Sequence, residues 1–226
     1  MIPLRDSIPS RRLPLLTIGL IIANVVMFIQ QIRLGPHLNA FVDRYAVIPM
    51  LYLRWPQSGW QGVLEHQLPL VSALFLHGGW FHLVGNMWYL WIFGDNVEEV
   101  FGSIRFLFFY VVCGIAGNLA HILMNSRSAM PALGASGCIA GVLAAYFLLC
   151  PGRKITTLLP IVIFWTIADV PAFFFLGIWF LMQFASGFFS LSYAQHGPGI
   201  AWWAHIAGFL SGLWLTFRAA ARRRRK

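Results

Sequence analysis

Apolar runs, separated by glycine, proline and short charged punctuation, divide the chain into six segments at about residues 14–32, 79–94, 104–124, 136–150, 171–187 and 200–218. Each reads as a helix in contact with lipid or buried in a helical core. Between the first two lie residues 33–76, where Pro36, Pro49, Pro56 and Pro69 alternate with Tyr52, Trp55, Trp60 and sparse charges. That stretch is too polar and broken to span, and is expected to lie in the membrane interface. Residues 155–170 are apolar but rich in β-branched residues, and they close with Asp169 and Pro171. The expectation there is a partly embedded connection on the cytoplasmic side, with a further helix as the competing reading.

The fourth segment is the informative one. Its fifteen residues, 136–150, make about 22 Å of helix against roughly 30 Å of hydrocarbon. It cannot cross alone. Pro151, Arg153 and Lys154 hold its inner end at the cytoplasmic surface, so the loop before it, residues 129–135, has to dip into the membrane. Irregular backbone is tolerated at that depth only where protein or a water-filled cavity satisfies its polar groups. A wet, protein-lined recess is therefore expected in front of Ser136.

Composition agrees with a membrane domain: of 226 residues 10% are charged and 59% hydrophobic, with a mean hydropathy of +0.72. A water-soluble domain would carry about a quarter charged residues and is excluded. Sixteen Lys and Arg against seven acids give +9, and their placement decides what that excess means. With the N-terminus cytoplasmic and six helices, twelve of the sixteen fall inside, leaving only Arg33, Arg44, Arg54 and Arg127 outside. The bias follows the positive-inside rule, so the charge reads as orientation and not as a nucleic-acid surface. One membrane domain, residues 1–226, is expected: a cytoplasmic N-terminus at 1–13, a six-helix core at 14–218 and a basic cytoplasmic tail at 219–226. The start resembles a signal sequence but has no small-residue cleavage site, so a retained anchor is expected. Cys113, Cys138 and Cys150 are odd in number and lie in apolar runs, as buried thiols do.

Candidate chemistry collects at one depth. Leu133-Gly134-Ala135-Ser136-Gly137 sets a hydroxyl at a loop-to-helix junction, beside the positive end of a helix dipole and free backbone amides. A helix N-cap is the plainer role for that serine. Gly137 and Gly141, and Ala204, Gly208 and Gly212, form two small-residue ridges that permit close helix packing. If the ridges meet, Ser136 and His205 sit at matching depths, as a nucleophile and its general base would. An interhelical hydrogen bond is the other role for His205. His82 and Asn86, four apart on one helical face, could hold an oxyanion. A metal site from His77, His82 and His205 is the competing use of these histidines, though no His-Glu-x-x-His pattern is present. With no carboxylate well placed to orient His205, a Ser-His dyad is expected in preference to a triad.

The motifs His77-Gly-Gly-Trp-Phe-His82-Leu-Val-Gly-Asn86, Gly134-Ala135-Ser136-Gly137 and Ala204-His205-Ile-Ala-Gly208-Phe-Leu-Ser-Gly212 occur in the order found in rhomboid intramembrane serine proteases, and the chain resembles that family over nearly its whole length. The resemblance implies an all-α, polytopic membrane protein, a six-transmembrane-helix bundle with an interfacial first external loop. It implies Ser136 as nucleophile and His205 as base, with His82, Asn86 and the Ser136 amide as oxyanion site, Gly134 shaping the loop in front and Gly137 among the oxyanion and substrate-binding residues. His77, Gly208 and Gly212 would be structural. The implied substrates are membrane-anchored proteins cut in or near a transmembrane segment, with entry attributed to movement of the fifth helix. No cofactor, metal or nucleic acid is implied, and oligomeric state is not indicated. Two points qualify the likeness. The position four after the serine, often aromatic in the family, is Ala140, so either Trp202 or Trp203 supports His205 instead, or the base is held less firmly and activity is lower. A non-catalytic member of the superfamily, binding membrane-protein clients, is the alternative function, although such relatives usually lose the serine or histidine. A compact six-helix form without extensions points to a prokaryotic plasma (inner) membrane, with both termini cytoplasmic.

Overall fold

The computed structural model describes residues 1–8, 10–53, 59–161, 164–190 and 201–223. The readings placed on Arg54, Trp55 and Pro56 and on residues 224–226 lie outside the described residues. The chain opens with strand β1 (Ile2–Asp6) and helix α1 (Leu15–Arg33). Three short helices follow, α2 (Leu38–Tyr45), α3 (Gly59–Gln67) and α4 (Pro69–Ser72), and then the longer α5 (Trp80–Phe101), α6 (Ser103–Met124) and α7 (Ser136–Leu149). Strands β2 (Lys154–Ile161) and β3 (Phe164–Pro171) precede α8 (Ala172–Ser190) and α9 (Trp202–Arg223). By length and composition α1, α6 and α8 can each cross a membrane, and the pair Gly62–Phe75 and Trp80–Phe101, bent by 77°, supplies a fourth candidate. The protein is thus a mostly helical membrane protein.

At the centre stands α7. Residues 137–146 are all buried, which is what a helix apolar on every side requires, and α5, α6, α8 and α9 surround it. Close approach is possible because the helix surfaces that meet it are made of small residues. A Cβ on Gly208 of α9 would collide with the carbonyl oxygen of Gly137, and one on Gly212 would lie 2.6 Å from that of Gly141. The two ridges therefore face each other. On the α6 side, a Cβ on Gly141 would sit 2.5 Å from Cys113 Sγ, and one on Gly117 would sit 2.7 Å from the Ala204 carbonyl oxygen. Cys113 and Cys138 are free and buried and pack as small apolar groups.

Helix α5 runs on to Phe101, beyond the expected end near Gly94. Gly94 is not a terminator but a point of close approach, where a Cβ would meet Thr17 Cγ2 at 3.0 Å. Gly102, with φ +78°, makes the turn into α6. At that corner the Glu98 carboxylate accepts the backbone N–H groups of Leu16 and Thr17 at 3.0 and 2.8 Å and the Ser103 hydroxyl at 2.7 Å. It thereby caps the otherwise unpaired first turn of α1 and ties three helices together.

Residues 155–170 form neither a simple connection nor a helix. They build a hairpin, β2 pairing antiparallel with β3 from Lys154 and Pro171 to Ile161 and Phe164. Strand β1 adds to its other side, Ile2 opposite Leu158 and Asp6 opposite Ile155. The β-branched run Ile155, Thr156, Thr157 favours this extended form, with Ile155 and Thr157 fully buried. An all-α description is corrected accordingly, and residues 1–13 are in part an ordered strand. Asp6 closes the sheet against the bundle, its Oδ2 accepting from Tyr146 Oη and Asn96 Nδ2, both at 2.8 Å. Burial raises the Asp6 carboxyl above the ordinary carboxylate value, against the opposing pull of the Tyr146 bond.

Two outcomes follow. Gly208→Ala should destabilise the protein by about 1–3 kcal/mol through overpacking against rigid backbone, seen as a lowered unfolding midpoint in detergent. Gly85→Ala, whose Cβ meets nothing within 4 Å, should not. Because the folded state holds Asp6 at a raised pKa, that group's contribution to stability is complete below the ordinary carboxylate pKa and is lost as pH rises through the folded value. Asp6→Asn, which keeps a neutral acceptor for both donors, should flatten the fall of the midpoint across the weakly acidic range.

Candidate active site

The loop that leads into α7 is held from outside the helix bundle. Val47 and Ala132 exchange backbone hydrogen bonds of 3.0 and 2.7 Å, the Met50 amide donates to the Ser128 carbonyl at 3.0 Å, and the Gly134 amide donates to the Ala73 carbonyl at 2.8 Å. The connection between α1 and α5 thus satisfies backbone groups that lipid could not. Val47, Leu70, Ala73, Ile122 and Ala132 form a second apolar cluster beneath this clamp.

Ser136 is the first residue of α7, not its cap. The N-cap position is Ala135, and no side chain caps the helix. The serine hydroxyl instead reaches α9, where His205 Nε2 lies 2.8 Å from Ser136 Oγ. Ser136 precedes Gly137 by one residue and His205 precedes Gly208 by three, so the close backbone contact between Gly137 and Gly208 brings the two side chains together. A hydroxyl and an imidazole at this separation are poised for proton transfer.

Gly134, buried and with φ +131°, lies beneath the His82 ring. A Cβ there would fall 2.8 Å from His82 Nε2 and Cε1 and 3.7 Å from Asn86 Nδ2. His82 is exposed, whereas Asn86 is only 7% exposed and its Nδ2 is buried with no hydrogen-bond partner among the described residues. A donor left free beside the residue two before Ser136 is available to a carbonyl oxygen. His77 stands apart from the pair. It is 1% exposed, its backbone is bonded in both directions to the Gln31 side chain of α1 at 3.0 and 3.1 Å, and its ring meets His82 edge-on at 5.1 Å. Gln31 therefore joins α1 to the start of α5. Farther along α6, His121 Nδ1 lies 3.3 Å from Asn125 Nδ2. Among the described residues no three His, Cys, Asp or Glu side chains converge as a metal-binding group.

The surroundings of His205 match the expectation in part. Trp202 stands edge-on to it at 6.1 Å, but no ring contact joins it to Trp203 among the described residues. Helix α8 contributes more. Trp179 lies 6.3 Å from the imidazole, and Gln183 Oε1 lies 2.7 Å from Nδ1. Reading the chain for carboxylates passed over Gln183; the signal was a lone amide within the apolar run of α8.

The fold and this pair define a helical membrane protein with a hydroxyl and an imidazole joined at the buried start of a short helix. A family model of the rhomboid domain matches residues 64–222, and the chain belongs to the rhomboid family. "RHOMBOID-like protein 5" of Arabidopsis thaliana is 32% identical over 165 residues, covering 69% of this chain and 47% of that protein. "Presenilin-associated rhomboid-like protein, mitochondrial" of Homo sapiens is 28% identical over 149 residues, 65% of this chain and 36% of that protein. "Rhomboid protease GluP" of Bacillus subtilis is 42% identical over 76 residues, 34% of this chain and 14% of that protein. The chain spans less than half the length of these relatives.

A side chain at position 134 would need an unfavourable φ and would displace the His82 ring. Gly134→Ala should cost about 1–3 kcal/mol, measured as a drop in the unfolding midpoint of the purified protein.

Proposed function

We propose that this protein is an intramembrane serine endopeptidase that hydrolyses peptide bonds in or near the transmembrane segments of membrane-anchored proteins. The observation that carries the reading is the 2.8 Å contact between His205 Nε2 and Ser136 Oγ, made across two helices at the foot of a clamped loop. Ser136 Oγ attacks the substrate carbonyl carbon as Nε2 takes its proton. The oxyanion that forms is held by Asn86 Nδ2, His82 and the Ser136 amide. His205 then returns the proton to the leaving amine as the peptide C–N bond breaks, leaving an acyl ester on Ser136. Water, deprotonated by the same Nε2, releases the second product and restores the serine. Asn86 supports this role because its amide is buried and otherwise unpaired.

In this reading the six longer helices span the bilayer, with α7 reaching the far surface only through its loop, and both termini face the cytoplasm of a plasma (inner) membrane. The sheet of β1, β2 and β3 lies on the cytoplasmic side, where Lys154 and Arg5 stand. The chain is one membrane domain whose last helix, α9, continues past the expected boundary at 218 to Arg223, and it uses no cofactor.

Cleavage of a model transmembrane substrate in proteoliposomes tests the assignment. Ser136→Ala and His205→Ala should each lower the rate by at least roughly a thousandfold with the unfolding midpoint preserved, and Asn86→Ala by roughly a hundredfold. Labelling by a fluorophosphonate probe should disappear in Ser136→Ala. Equal labelling of the two proteins would overturn the proposal.

A further inference from the structure

His205 has two ring nitrogens, and only one of them faces Ser136. The other, Nδ1, lies 2.7 Å from Gln183 Oε1. A carbonyl oxygen carries lone pairs and no proton, so the contact requires hydrogen on Nδ1. In a neutral imidazole that leaves the lone pair on Nε2, 2.8 Å from Ser136 Oγ. This is the tautomer able to take the serine proton. The other tautomer would oppose two lone pairs at Nδ1 and Oε1 and would point its hydrogen at the hydroxyl it has to deprotonate.

We propose that Gln183 is the positioning residue of the site, a neutral acceptor that selects the base-competent tautomer of His205 and supports the imidazolium as it forms. The inference rests on the Ser136/His205 hydrolase reading given above. Gln183 does not touch the reacting atoms and acts through the histidine. It is 8% exposed and is the only amide in α8, a helix without a single charged residue. Burying an amide among apolar side chains is unfavourable unless it is hydrogen-bonded, and its oxygen finds that bond at His205. A carboxylate in the same place would orient the ring as well, but it would have to be stripped of water in a segment that faces lipid. The neutral amide supplies the orientation without a buried charge, which accounts for a site lacking a nearby acid.

The placement has a mechanical consequence. Ser136 is on α7 and His205 on α9, whereas Gln183 and Trp179, one helical turn apart, are both on α8. The base is oriented only while α8 is packed against α9.

The test compares Gln183→Leu and Gln183→Glu with the wild-type full chain. Three quantities are read: the second-order rate of labelling by a small fluorophosphonate, the kcat and KM for a transmembrane substrate, and the pH profile of each. Gln183→Leu, which removes the acceptor from an apolar setting, should slow labelling and kcat by roughly tenfold to a hundredfold, with KM nearly unchanged and the unfolding midpoint preserved. Gln183→Glu, which can only accept, should recover most of the rate. It should also move the acidic limb of the profile to higher pH, because a carboxylate favours the imidazolium. The inference is overturned if Gln183→Leu labels and cleaves at the wild-type rate, or if Gln183→Glu is no faster than Gln183→Leu and leaves the acidic limb in place. Wild-type labelling that does not depend on Ser136 would instead overturn the hydrolase reading and this inference with it. Ser136-dependent labelling unaffected by Gln183→Leu would leave the hydrolase reading standing.

Discussion

Everything at the site depends on how closely α7 and α9 approach. Two helices that meet through leucines keep their axes 8–10 Å apart and hold their backbones away from each other. Here Gly208 rests on the Gly137 carbonyl and Gly212 on that of Gly141, so the helices meet backbone to backbone. Ser136 stands one residue before Gly137, and His205 stands three residues, about one helical turn, before Gly208. Short side chains can then bridge the gap, and serine, with a single carbon between backbone and oxygen, reaches an imidazole at 2.8 Å. In lipid this packing cannot rely on expulsion of water, and it rests on dispersion and shape.

The shortness of α7 makes the loop before it a second constraint. Fourteen residues give about 21 Å of helix, so in the proposed topology the chain arrives at Ser136 below the surface. The groups that make this tolerable come from the connection between α1 and α5, through Val47, Met50 and Ala73. The small polar population of the chain is used in the same manner elsewhere. Glu98 caps α1 from α5, Gln31 brackets the His77 backbone, and Asn118 of α6 donates to the Leu70 carbonyl at 2.9 Å. Each is a polar side chain in an apolar helix whose partner lies on a different element. In a medium without water, that is how such a group avoids the penalty of being left unpaired.

Much of this was legible along the chain. The helix limits fall within a few residues of those expected, apart from the ends of α5 and α9, which run on to Phe101 and Arg223, because apolar runs and their breakers are local signals. The brevity of the fourth segment follows from counting residues and agrees with the fourteen residues of α7. The nearness of Ser136 to His205, and of His82 and Asn86 to Gly134, could be anticipated because polar residues are scarce in these apolar segments. What was not legible depends on partners distant in sequence. Gly94 looks like a helix end until Thr17 is placed against it. Residues 154–171 look like an apolar connection until β1, some 150 residues earlier, pairs with them. Gln183 looks like one polar residue in a lipid-facing helix until α8 is set beside α9.

Periodicity, hydropathy and charge bias therefore determined by themselves that this is a helical membrane protein with a short, glycine-flanked central helix and a serine at its start. These are properties of single segments in a known solvent. The tertiary structure decided which hydroxyl meets which ring nitrogen, what holds the other nitrogen, and which strand completes the sheet. Hydrogen bonds of about 3 Å depend on the relative placement of whole elements, and no local pattern in the sequence specifies that placement.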